Sequence, residues 1–105
     1  MKTEESFLTN LTKLYVLVAL FKSPRHGYEL MADFKKVTGK NLSAGQIYPL
    51  LSDMQKKGFV AVTEQYEGQR KKKVYSLTEK GKEHRNILIS QLGELLAYGD
   101  VKINK

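Results

Sequence analysis

The sequence predicts a mainly α fold carrying one small β-hairpin. Four segments place apolar residues at helical spacing, two short alternating runs flank a glycine-containing turn, and stop signals separate them. The length of 105 residues is that of one domain. With 41% hydrophobic and 28% charged residues, the composition is ordinary for a globular protein.

The first helix is expected from about Ser6 to Lys22, where Phe7, Leu11, Leu14, Leu17, Val18 and Phe21 recur at helical spacing. Glu4 and Glu5 lie near its start and Lys22 at its end, as the helix dipole favours, and Ser23-Pro24 stops it. Tyr15 and Phe21 read as core residues. The second helix is expected from Gly27 to Thr38, with Leu30, Met31, Phe34 and Val37 as its stripe and Gly39 as a left-handed stop.

After the turn Gly39-Lys40-Asn41-Leu42, Ser43 and Gln46 have the spacing of a capping box, and a third helix runs to Lys57 before Gly58. Ile47, Leu50, Leu51 and Met54 form its core stripe, leaving Ala44, Tyr48, Ser52 and Gln55 near the other face. Pro49 removes one hydrogen bond and strains the first turns, but the apolar pattern continues through it. Runs from Val60 to Tyr66 and from Lys72 to Leu77 around Glu67-Gly68-Gln69-Arg70 read as a hairpin, with Val60, Val62 and Tyr66 on one side.

Thr78 caps a last helix reaching about Ala97. Its apolar residues Ile87, Leu88, Ile89, Leu92, Leu95, Leu96 and Tyr98 spread over about 200°, where one-sided packing needs a stripe only somewhat wider than ~100°. The excess has to bury against something else, and an identical chain is the simplest supposition. Tyr98 reads equally as a core residue, a dimer contact or a ligand-facing ring.

Net charge is +7, which suits a polyanion such as DNA, RNA or an anionic membrane, or else a solvated surface. Arg70, Lys71, Lys72 and Lys73 are consecutive; without those four the excess is +3, so more than half of it sits at the hairpin tip. The longest apolar run, Leu14 to Phe21, has eight residues, against about 20 for a bilayer span, so no membrane segment is expected. The acids at positions 4 and 5 argue against a leader peptide, and the absence of cysteine fits a reducing cytoplasm.

Two helices joined by a short glycine turn, followed by a hairpin, describe a winged helix-turn-helix. Its second helix fits the major groove of DNA, and its wing brings cations to phosphates or the minor groove. Ser43, Gln46, Tyr48 and Ser52 are the candidate base readers. Lys40, Asn41, Arg70, Lys71, Lys72 and Lys73 are the phosphate candidates. Each has a plainer reading beside it. Gln46 could serve only its capping box, Tyr48 could pack its ring on its neighbours, and the basic block could be a solvated loop.

The stretches Tyr15 to Leu20, Ser23-Pro24-Arg25-His26-Gly27-Tyr28-Glu29-Leu30, Gly45-Gln46-Ile47-Tyr48-Pro49-Leu50-Leu51, Lys57-Gly58-Phe59-Val60 and Tyr75-Ser76-Leu77-Thr78-Glu79-Lys80-Gly81 together resemble the PadR family of regulators. The resemblance covers roughly residues 14–82 and makes Pro49 a family feature. It implies a cytoplasmic, dimeric winged-helix repressor of the compact type, with a single C-terminal helix. In the family that helix pairs with the N-terminal helix of the other subunit. Carried over, the interface would use Phe7, Leu11, Leu14, Leu88, Leu92 and Leu95, and the DNA contacts would map onto Ser43, Gln46, Tyr48 and the 70–73 block. Residues 1–77 would form the DNA-binding unit and 78–105 the dimerisation helix and tail. Some compact members bind flat aromatic compounds between subunits, which makes a small aromatic effector a further candidate partner.

An enzyme is not expected. His26 and His84 are the only histidines and lie far apart in sequence, no cysteine is present, and no acidic cluster, metal-ligand spacing or phosphate loop stands out. No cofactor or metal is therefore expected. His26 reads as a surface or cap-region residue and His84 as lying on the exposed side of the last helix. A winged-helix adaptor that binds protein and a non-specific nucleic-acid architectural protein remain the alternatives. The first would not need four wing cations, and the second would bind all sequences alike with a steep salt dependence.

Overall fold

The computed structural model describes the backbone of residues 3–103 and the side chains of residues 10–103. In chain order it forms α1 (Thr3–Lys22), β1 (Arg25–His26), α2 (Gly27–Thr38), α3 (Ala44–Lys56), β2 (Val60–Glu67), β3 (Arg70–Leu77) and α4 (Glu79–Tyr98). The helices fall where periodicity put them, with α1 beginning a few residues earlier. Gly39 ends α2 in the left-handed conformation at φ 75°, its N–H on the Lys35 carbonyl at 2.7 Å.

The hairpin gains a third strand that periodicity could not find. The sheet is antiparallel in the order β1-β3-β2, with Arg25 opposite Tyr75 and His26 opposite Val74. A two-residue strand has no alternation to detect; it exists because the chain leaving α1 runs beside β3. The wing is also longer than expected. It pairs from Val60–Leu77 to Glu67–Arg70 and leaves only Gly68 and Gln69 as the turn. Its outer half projects beyond the core, so Tyr66 is exposed and does not share the burial of Val60.

The core gathers Val16, Leu17 and Leu20 of α1, Leu30 of α2, Leu42 of the turn, Ile47, Leu51 and Met54 of α3, Val60 of β2 and Tyr75 of β3. Each large side chain fully buried here contributes about 1.5–3 kcal/mol relative to exposure. Tyr15 donates from its hydroxyl to the Leu30 carbonyl at 2.6 Å and meets Phe34 edge-on. Burial first, then Asp33, raises the Tyr15 phenol above its usual value, against an opposing effect of Arg25.

Two expected core positions are corrected. Phe21 is 42% exposed, with the Arg85 guanidinium 4.1 Å above its ring. The run from Leu14 to Phe21 is apolar on every side, so spacing alone could not choose which face α1 buries. Val37 is 75% exposed because the last turn of α2 runs past the core.

The start of α4 is locked to the turn between α3 and β2. The Thr78 hydroxyl accepts from Gly81 N–H at 3.0 Å and donates to the Gly58 carbonyl at 2.6 Å. Gly81 passes so close that a Cβ there would lie 2.1 Å from the Phe59 carbonyl oxygen. His84 is not on an open face as expected. Its ring stacks on Phe59 at 4.3 Å, its buried Nε2 has no hydrogen-bond partner among the described residues, and burial followed by Lys13 and Lys80 lowers its pKa. Arg85 and Leu88 continue the contact with the body, and most of α4 after Ile89 is exposed. Among the described residues no helix is long and apolar enough to cross a membrane.

Candidate nucleic-acid interface

The first turn of α3 is held by its own side chains. Gln46 Oε1 accepts from Ser43 N–H at 2.9 Å and from the Ser43 hydroxyl at 3.1 Å, so the capping box forms. The carboxamide oxygen of Gln46 is therefore engaged at the cap, leaving its NH2 as the free donor. Pro49 lies inside the helix, where its missing N–H faces the Gly45 carbonyl.

Tyr48 is 40% exposed and the end of its ring lies against Gly27 at the start of α2. A Cβ at Gly27 would sit 2.5 Å from the Tyr48 hydroxyl, so a side chain there would displace the Tyr48 ring from this position. The packing reading of Tyr48 is thus realised while part of the ring remains in water. Behind it, burial first and then Tyr48 raise the pKa of Tyr75.

The wing adds charge along β3. Alternation sends Lys71 and Lys73 to one face and Arg70 and Lys72 to the other. Two acids that the basic block concealed lie across from it. Glu64 pairs with Lys71 at 3.4 Å, and Glu67 pairs with Lys72. The hydrogen bond from Lys72, then its charge, lowers the Glu67 pKa, and the same hydrogen bond raises that of Lys72. Among the described residues, Arg70 and Lys73 form no ion pair.

These elements enclose a cleft of about 350 Å³ lined by His26, Gly27, Tyr28, Tyr48, Arg70, Lys71, Lys72, Lys73 and Tyr75. The structure therefore brings Tyr48 and the 70–73 block together. It does not bring Lys40, Asn41 or Ser52 to this cleft. Lys40 and Asn41 are exposed in the turn before α3, and Ser52 is exposed further along α3. His26, Tyr28 and Gly27 were missed as site residues. The signal lay in the tripeptide itself, a glycine between two rings at the mouth of a helix. His26 caps α2, with Glu29 accepting from its N–H at 2.8 Å, and Arg25 beside it is ion-paired with Asp33.

Away from the residues that line this cleft, Leu11, Leu92 and Leu95 are exposed, Leu95 at 66%. Leu14 is half-buried, and half-buried Leu88 packs against the core. The side chain of Phe7 lies outside the described residues. Tyr98, 90% exposed, is no core residue.

A helix-turn-helix whose second helix presents its polar first turns beside a cationic hairpin defines a winged-helix protein. The model of the transcriptional regulator PadR-like family matches residues 16–86. The chain belongs to that family. A PadR-like transcriptional regulator from Bacillus cereus is 27% identical with a TM-score of 0.79, over 90% of this chain and 93% of that one. Bacillus subtilis PadR, solved in complex with operator DNA, is 29% identical with a TM-score of 0.70, over 75% of this chain and 45% of that one. The transcriptional activator GvpE of Haloferax mediterranei is 28% identical over 76 residues, 72% of this chain. The match spans only 38% of that activator's length.

Proposed function

We propose that the chain is a cytoplasmic, sequence-specific DNA-binding regulator that acts as a homodimer on a palindromic operator, where it represses transcription. The observation that carries this reading is the cleft that Tyr48, at the start of the exposed face of α3, shares with residues Arg70 to Lys73 of the wing. One helix fits the major groove, and a wing beside it meets the backbone. Ser43, Gln46, Tyr48 and Ser52 are the proposed base readers. Lys40, Asn41 and Arg70 to Lys73 are the proposed phosphate contacts. For Gln46 to grip adenine through both amide atoms it has to leave its cap, so its free NH2 makes a single contact the simpler arrangement. The operator complex of Bacillus subtilis PadR supports duplex DNA as the ligand.

The exposed apolar residues of α1 and α4 support dimerisation. Leu11 of α1 and Ile87, Leu92 and Leu95 of α4 face solvent in the single chain. A second copy covers such a surface and supports a helix that is marginal alone. Residues 78–105 are then the dimerising part of a unit whose first 77 residues read DNA. A two-fold dimer presents two α3 helices about one DNA turn apart.

The test is selection of duplexes from a random pool by the purified protein at near-physiological salt. A palindrome with half-sites about ten base pairs apart supports the reading. No enrichment, with binding that vanishes as salt rises, refutes it in favour of architectural binding or a protein partner. The relative from Haloferax mediterranei is named an activator, so the direction of regulation needs its own measurement. Transcription from a promoter overlapping the selected site should fall when the protein is added.

A further inference from the structure

The cleft between α2 and the wing holds more than the cations of β3. On its α2 side the rings of His26 and Tyr28 are stacked, with 5.1 Å between centroids and 7° between planes. Tyr48 lies over Gly27 beside them, and Lys72 holds its ammonium 5.7 Å from the centre of the Tyr28 ring. Phenol hydroxyls and an ammonium are donors to an anion. His26 is conditional. Its Nδ1 is 3.0 Å from the Lys73 carbonyl oxygen. A carbonyl only accepts, so Nδ1 carries the proton and Nε2 is left for an incoming group. In neutral imidazole that nitrogen only accepts; in imidazolium it donates.

We propose that this cleft seats one backbone phosphate of the duplex, held by Tyr28, Lys72 and the Nε2–H of a protonated His26, so that DNA binding takes up a proton. This rests on the reading of the chain as a duplex-binding protein. The titratable and charged groups around His26 come from four elements: Tyr28 and Glu29 on α2, Arg70, Lys71, Lys72, Lys73 and Tyr75 on β3, Glu67 on β2 and Tyr48 on α3. Glu29 is turned to the His26 backbone N–H, and Glu67 is taken by Lys72. Arg25, the preceding residue, is taken by Asp33. The nearby carboxylates are thus engaged elsewhere, and a phosphodiester supplies the counter-charge that favours imidazolium. It also competes with Glu67 for the Lys72 ammonium.

The test is duplex affinity by fluorescence anisotropy from about pH 5.5 to 8.5, the range in which imidazole changes charge, at constant ionic strength. Wild-type affinity should fall about tenfold per protomer across that range, the worth of one charge-assisted hydrogen bond. His26→Asn, which keeps a good helix cap, should give a flat profile at the level of the wild type's alkaline limb, with an unchanged circular dichroism spectrum. Tyr28→Phe should weaken binding at every pH. His84→Phe removes the only other histidine and should keep the wild-type slope. A wild-type slope in His26→Asn, or its loss in His84→Phe instead, overturns the proposal. So does saturable binding of inorganic phosphate alone below about 1 mM, read from the His26 ring resonances, because the seat then serves a free phosphoryl ligand. A wild type that binds duplex with a flat pH profile defeats this proposal alone. A wild type that binds no duplex defeats the function proposed above as well.

Discussion

Alanine at Gly81 places a methyl carbon 2.1 Å from the Phe59 carbonyl oxygen and 3.0 Å from Leu77 Cδ2. Carbon and oxygen in contact need about 3.3 Å, so the first turn of α4 has to retreat by about 1 Å. The obstacle cannot swing away. It is backbone, and its oxygen accepts from Thr78 N–H at 3.1 Å. Retreat also stretches the bonds that Thr78 makes to Gly58 and Gly81. Overpacking of this kind costs about 1–3 kcal/mol, and the disturbed cap adds about 1 kcal/mol. Alanine in a helix returns about 0.5–1 kcal/mol. The net loss is therefore about 1–3 kcal/mol, and at about 4–8 °C per kcal/mol the melting temperature should fall by roughly 5–20 °C. Gly45 is the control. It too is helical, but a Cβ there meets only Ser43 Oγ at 3.8 Å, so Gly45→Ala should gain about 0.5–1 kcal/mol. Both variants are melted by circular dichroism at one protomer concentration, because dimerisation shifts apparent stability. A Gly81→Ala protein as stable as wild type refutes the steric argument.

Stability should also depend on His84. Its folded-state pKa lies below the ordinary histidine value of 6.5, so the unfolded chain binds the proton more readily. The stabilisation is complete above about 6.5 and is lost as pH falls through the lower folded value. Melting temperature should drop below that point in wild type and drop less in His84→Phe, which keeps a ring on Phe59; parallel profiles contradict this. Replacing Arg70, Lys71, Lys72 and Lys73 together by alanine should weaken binding to every duplex. It should also flatten the log–log salt dependence by about 0.9 for each phosphate that the wing no longer neutralises. Equal affinity at low salt is inconsistent with the wing assignment. Leu92→Asp should give a monomer in sedimentation velocity. A wild type that sediments as a monomer removes the dimer from the reading.

The sequence by itself determined every helix, because each carries either its own stripe or its own punctuation. Gly39, the Ser43–Gln46 box and Thr78 act within a few residues of themselves, so their work is readable without knowing what lies across the fold. α3 and the cationic strand were legible for the same reason. Periodicity also revealed that α4 carries more apolar surface than one side can bury, and the exposure of Leu92 and Leu95 agrees.

What only the tertiary structure decided were the relations between segments distant in sequence. The β1 pairing to β3 joins residues about fifty apart, and neither partner announces the other. Glu64 and Glu67 meet their lysines only once the two-residue turn sets the register. His84 reads as a surface residue until Phe59 is folded under it. Gly27 and Gly81 look like ordinary helix-start glycines until the Tyr48 ring and the Phe59 carbonyl occupy the space a side chain would need. Local signals are short-ranged along the chain, whereas a close approach is a property of two segments at once, and its evidence exists only where they meet.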